Sequence, residues 1–438
     1  MPKLARIWLV VPLLAVAYVC GALAQARWVN VDATRHDQDS YLAYAASVDD
    51  SHFAAVGNRL QMPALPSLLA LFHHAGEPQS AFFERAKLVC IGLSVPCALA
   101  VIVLLRRTLR KAEATVLTLL VVFFVFSFRA AYVQAELLSY ACLFAGFVAM
   151  ANLWRRPGVA GAVVVGLLLA AAFVVKGTAL VGFYVFAATF TLRQLVLLAR
   201  TRAPRHAWAL LAPPAAFGVF FAVAYPYLQT SKLIFGGYFH NMSSAYVMWC
   251  DSWEQYTALE SQLHLNLEGW KLPASQVPSA ANYLGSHRLV DIAQREIRGL
   301  AEVAGNALVS HGYAPVVLLY GGFAATVFIQ HPRLRARALR CGADSLAWFV
   351  VPYLAAHALL FGFYGAIAAG NRFSLAMLLP AMTSLLRTMG TPSMAEYRLR
   401  VGSRHFSWNQ LNQLAIIVIA IELALYFPYA VATHYSGG

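Results

Sequence analysis

Six residues of this chain have the types and settings that chemistry at a membrane surface requires: Asp37, Asp39, Glu136, Lys176, Arg59 and Arg372. Asp37 opens Asp37-Gln38-Asp39-Ser40-Tyr41. A carboxylate there can act as a general base and take a proton from an attacking hydroxyl. Asp37 or Asp39 equally suits the N-cap of a helix that follows. On such a helix Asp39 points away from the face shared by Asp37, Tyr41 and Tyr44 at i, i+4 and i+7. Glu136, in Gln134-Ala135-Glu136-Leu137, heads an apolar run. An ionisable residue there either reaches to the interface or belongs to a cavity. Paired with Asp37, it can share a divalent ion or orient an acceptor.

Lys176 interrupts Ala171-Ala172-Phe173-Val174-Val175-Lys176-Gly177-Thr178-Ala179-Leu180. Its charge is costly in lipid, so it marks a tight turn, a cavity, or both, and an ammonium pairs well with a phosphate. Arg372, in Gly370-Asn371-Arg372-Phe373, and Arg59 admit the same readings. A second candidate region mixes rings with acids: Tyr246, Trp249, Asp251, Trp253 and Glu254. Rings stack on sugar faces while acids accept hydroxyl protons; an interfacial aromatic belt has the same composition. If a metal such as Mg or Mn takes part, the candidate ligands are His36, Asp37, Glu136 and His240. No cofactor is required by the pattern.

These residues must be positioned by membrane helices. The 438-residue chain is 60% hydrophobic and 12% charged, and long apolar runs recur along it. The expected fold is an all-α polytopic membrane protein in one domain spanning 1–438, with roughly eleven transmembrane helices. Apolar runs lie near 6–25, 86–105, 114–129, 135–153, 159–175, 177–197, 208–226, 312–330, 345–363, 371–387 and 411–430. The first run follows Lys3 and Arg6 and reads as a retained signal anchor rather than a cleaved leader. Arg clusters fall on alternate connections, which places the N-terminus in the cytoplasm and two long loops, 26–85 and 227–311, outside. Most of the acidic residues are in those loops. Juxtamembrane helices are expected within them, including an amphipathic stretch from His287 to Leu308 lying on the membrane.

The formal charge of +14 is spread between apolar segments as a topology signal, so nucleic acid is excluded as a partner. The six cysteines show no disulfide framework or metal spacing. Cys250 should be open to thiol reagents from outside and Cys341 shielded. No internal repeat is evident, which weighs against a transporter built from inverted halves.

Together these features resemble the polyprenol-phosphate-sugar-dependent membrane glycosyltransferases of the GT-C superfamily, which include protein mannosyltransferases and aminoarabinose transferases. The likeness lies in Asp37-Gln38-Asp39-Ser40-Tyr41 in the first outer loop and in Arg59-Leu60-Gln61-Met62-Pro63-Ala64-Leu65-Pro66, similar to an Arg-x-Pro-x-x-Pro stretch but spaced wider. Glu136, the Lys176 turn and Asn371-Arg372-Phe373 also look like family features. The side-by-side acidic pair is Asp37-Gln38 here, which leaves the base open between Asp37 and Asp39. No acceptor-specific soluble module is expected after the last span.

The resemblance implies a glycosyltransferase, hexosyl or pentosyl, that moves a sugar from a polyprenyl-phosphate donor to the hydroxyl of a glycan, lipid or protein acceptor. Inversion follows from a single displacement. Asp37, or Asp39 in reserve, would be the base, with Glu136 beside it. Lys176, Arg59 and Arg372 would neutralise the leaving phosphate. Tyr41, Tyr246, Trp249, Asp251, Trp253 and Glu254 would contact sugar or acceptor. The implied location is a bacterial inner membrane, with the site facing the periplasm. Two other classes compete: a transporter or flippase of lipid-linked sugars, and a glycan polymerase or ligase.

Overall fold

The computed structural model describes residues 2–53, 61–260, 277–309, 314–331, 345–368, 370–391, 398–401 and 403–434. Arg59, Cys341 and the segment 261–276 lie outside them. The described chain is almost wholly helical. Eight helices among the described residues are long and apolar enough to cross a membrane. They include α1 (Pro2–Ala24, prolonged to Val29 by one wide turn), α4 (Gln79–Thr108), α5 (Lys111–Arg129), α6 (Glu136–Arg155) and α8 (Ala179–Thr201). The others are α9 (Ala212–Phe235 with the short turn before it), α14 (Ala347–Gly365) and α16 (Trp408–Leu425). Helices α7 (Val159–Val175) and α13 (Ala314–Gln330) are apolar but shorter. Helix α15 (Asn371–Met389) stands where the tenth run was expected but is less apolar.

Burial sorts these helices. Helices α5 and α6 form the centre: about the whole of Val116–Val133 is inaccessible, including Phe124, Phe126 and Phe128. The outer helices turn apolar side chains outward, among them Leu99 on α4, Leu167 on α7, Leu192 on α8 and Ile417 on α16. Exposed apolar faces on this scale suit a lipid bilayer and would be a liability in water.

The first long loop folds into α2 (Gln38–Asp50) and α3 (Ala64–Ala70), which pack on each other and on α4 through Leu42, Ala45, Leu65 and Leu69. Loop two supplies α10 (Trp253–Glu260), α11 (Ala280–Ser286) and α12 (Leu289–Val309). The apolar face expected on α12 points outward only in part: Leu289, Ile297 and Leu308 are well exposed, whereas Leu300 packs against Gly362. Its opposite face packs on α14, where Gly299 lies against the Gly362 backbone so closely that neither position has room for a Cβ. Two features were not expected. A short antiparallel hairpin pairs β1 (Leu399–Val401) with β2 (Arg404–Phe406). Chain beyond α16 continues as a separate α17 (Phe427–Thr433) that packs back on α1.

Candidate active site

Asp37 sits at the entrance to α2 with φ +65°, in the left-handed region, directly after His36 at φ +54°. Asp tolerates this conformation better than most residues, at a cost that surrounding contacts must offset. Those contacts are visible. Gln134 Nε2 donates to the His36 carbonyl at 2.6 Å. Gln38 and Asn30 exchange two amide hydrogen bonds at 2.9 Å, Val133 N–H donates to Gln38 Oε1, and Asn30 donates to the Ala131 carbonyl. Lys87 Nζ, fully buried, donates to the carbonyls of Ala26 and Asn30. The His36–Gln38 turn is thus pinned to the loop that leads into Glu136.

Asp37 occupies the N-cap position, yet its side chain makes no capping hydrogen bond. It faces Arg372 instead: Nη1 donates to Asp37 Oδ2 at 3.2 Å. The same Nη1 stands 3.8 Å from Glu136 Oε1, and Lys176 Nζ donates to that oxygen at 3.0 Å. Four residues more than three hundred positions apart at the extremes therefore form one chain of alternating charge, Asp37–Arg372–Glu136–Lys176. Glu136 is buried, and its Oε2 has no hydrogen-bond partner among the described residues. The Arg372 backbone is held by the Tyr140 hydroxyl, which donates to its carbonyl at 3.0 Å.

Tyr41 belongs to the same cluster. Burial, then the nearby carboxylates of Glu136 and Asp37, hold its hydroxyl proton on far above the ordinary tyrosine range. His36 is shifted the other way: burial first, then the charge of Arg372, lower its affinity for a proton. Asp39 stands apart. It is exposed, and its Oδ1 accepts from the Ser40 N–H at 2.8 Å.

The loop-two candidates have other engagements. The Trp249 indole N–H donates to the Ser244 carbonyl, and its ring packs on Tyr283 and Phe363. Asp251 pairs with His287 at 3.0 Å. Trp253 and Glu254 are exposed, with the Trp253 ring against Tyr256. Tyr246 and His240 lie ring to ring at 5.7 Å. Arg295 ties this region to α12 and α14, donating to the carbonyls of Met248, Cys250 and Phe363. Contact with the first loop is made upstream, where Tyr227 and Asn241 meet Met62. The segment abuts the charged cluster indirectly: Val247, Cys250 and Tyr256 pack on Ile367, with Tyr364 beside them, and Tyr364 meets Phe373 edge-on. Cys250, expected to be open to reagents, is fully buried, and burial pushes its thiol up to about 11.

Sequence reasoning missed Arg129, Gln38, Asn30 and Lys87. Arg129 is buried at the end of α5, close enough for its charge to act on both Glu136 and His36. Its signal was present as a charge closing an apolar run, but it read as a simple boundary. The four metal candidates are not brought together as one ligand set, and a guanidinium stands between Asp37 and Glu136.

In comparisons with known proteins, no family model, no curated protein and no solved structure matches the chain.

Proposed function

We propose that this chain is a membrane glycosyltransferase that takes a sugar from a polyprenyl-phosphate donor and passes it to an acceptor hydroxyl at the extracytoplasmic face. The observation that carries the reading is the Asp37–Arg372–Glu136–Lys176 cluster. It offers a carboxylate for a proton and two cations for a phosphate, and the flanking Arg129 adds a third positive charge.

In this reading the acceptor oxygen attacks the anomeric carbon. The bond from that carbon to the phosphate oxygen breaks, and the electron pair leaves with the polyprenyl phosphate. The hydroxyl proton passes to Asp37, and configuration inverts. Arg372 and Lys176 offset the charge that grows on the departing phosphate. Donor phosphate competes with Asp37 for the Arg372 guanidinium, so its arrival makes the carboxylate a better base. Glu136 keeps both cations in place. Tyr41, held protonated, can donate to a sugar oxygen. Beneath the Lys176 turn lies a small apolar crevice between α6, α7, α8 and α14, walled by Cys142, Leu169, Ala172, Ala179, Phe183 and Tyr353. The roughly eleven-span arrangement, a cytoplasmic N-terminus and a bacterial inner membrane complete the proposal.

The test is incubation of the purified protein with a panel of polyprenyl-phosphate sugars and candidate acceptors, scoring free polyprenyl phosphate. Release that requires Asp37 supports the reading. Passage of intact lipid-linked sugar across a liposome bilayer, with no release from any donor, would replace it with a flippase.

A further inference from the structure

We propose that Asp49, Asp50 and His73 form a divalent-cation site that clamps the far end of α2 to the loop between α3 and α4. One ligand atom from each of these side chains lies within 4.8 Å of the other two. His73 Nδ1 is 2.8 Å from Asp49 Oδ2. The His73 side chain is only 9% exposed, and its ring is set edge-on to Phe82 at 4.8 Å. A buried imidazole is thereby aimed at two carboxylates, one of them exposed.

Neighbouring residues within a helix diverge by about 100°. Asp49 and Asp50 both reach His73 because α2 ends at Asp50 and the chain turns back there, with Phe53 N–H donating to the Val48 carbonyl. Electrostatics also ask for a cation. The last turn of α2 holds both acids and no basic residue, and the helix dipole places further partial negative charge at that end. One imidazole with two carboxylates favours ions that accept mixed nitrogen and oxygen ligands, such as Zn²⁺ or Mn²⁺, over Ca²⁺ or Mg²⁺. On binding, His73 and Asp49 exchange their mutual hydrogen bond for bonds to the metal. The site stands at the opposite end of α2 from Asp37 and is independent of the transfer chemistry. Its effect is to fix the helix that carries Asp37 at both ends.

The experiment uses the full-length protein in detergent, stripped with a chelator and titrated with Mn²⁺. Free ion is followed by its paramagnetic resonance signal, and the thermal midpoint is read in parallel. One saturable ion per chain with a micromolar Kd and a rising midpoint is expected. Asp50→Asn alters an exposed side chain and should leave the metal-free midpoint unchanged while weakening Mn²⁺ at least tenfold. His73→Gln should weaken it as much. Absence of a saturable site up to millimolar Mn²⁺ overturns the proposal, as does equal binding by the wild type and both variants.

Discussion

Asp37 carries a cap position without a capping bond, and this separates the two roles that the local sequence leaves open. A cap needs a side-chain acceptor aimed at the first turn; here that acceptor is turned to Arg372. Asn fits the left-handed backbone as well as Asp and still accepts from a guanidinium. Asp37→Asn should therefore fold normally, shift the thermal midpoint little, and lower sugar transfer by on the order of a hundredfold or more. Asp39→Asn should stay near wild-type rate, because Asp39 is exposed and among the described residues is bonded only to its neighbour's amide. A slow Asp39→Asn beside an active Asp37→Asn would move the base to Asp39. His36 adds a pH dependence. Its folded form resists protonation, so the unfolded chain takes up the proton first as pH falls through about 6.5. Its contribution to stability is complete above that value and is lost progressively below it. His36→Asn, which tolerates the same backbone, should lose less of its midpoint than the wild type between pH 7.5 and 5.5. Equal losses in the two proteins would show that His36 has no part in the acid sensitivity.

At the scale of elements, two kinds of joint hold the site. One is polar: the Asn30–Gln38 amide pair and Lys87 lock the first loop to the approach to α6. The other is a close backbone crossing of α12 on α14 at Gly299 and Gly362, next to the Arg295 contacts that anchor loop two. Gly299→Ala places a methyl group against backbone, which cannot rotate away. It should destabilise the protein by about 1–3 kcal/mol through forced separation of the helices. Thermal unfolding in detergent would show this as a lower midpoint, whereas Ala at the open position Gly305 should have little effect. The amphipathic pattern of α12 was plain in its sequence. The inward face was not, because Arg295, Glu296 and Gly299 stand there beside Leu300 in place of an apolar stripe.

At the scale of the whole molecule, the first long loop and the starts of α6 and α15 meet on one face, together with the α7–α8 turn. In the proposed topology, read from the alternating Arg clusters, this face lies outside the cytoplasm. Cys250 cannot report on this, because it is buried. A cysteine at the exposed position Trp253 can: in the Trp253→Cys variant an impermeant thiol reagent should label intact cells. Labelling only after the membrane is opened would invert the topology and remove the site from the proposed donor pool.

Composition and apolar periodicity alone determine that this chain is helical and membrane-embedded, since runs of that length cannot meet water. They also pick out Glu136, Lys176 and Arg372, because a charge at the edge of an apolar run is costly enough to stand out, and Asp37 as an acid of the first long loop. The tertiary structure decides that these four share one cluster, that Arg372 spans both acids, and that Asp39 does not join them. It also recruits Arg129, Gln38 and Asn30, which look like ordinary polar residues between apolar segments. Local spacing reports the cost of placing a charge. Only the packing of α4, α5, α6 and α15 on the first loop determines which opposite charge, from hundreds of residues away, offsets it.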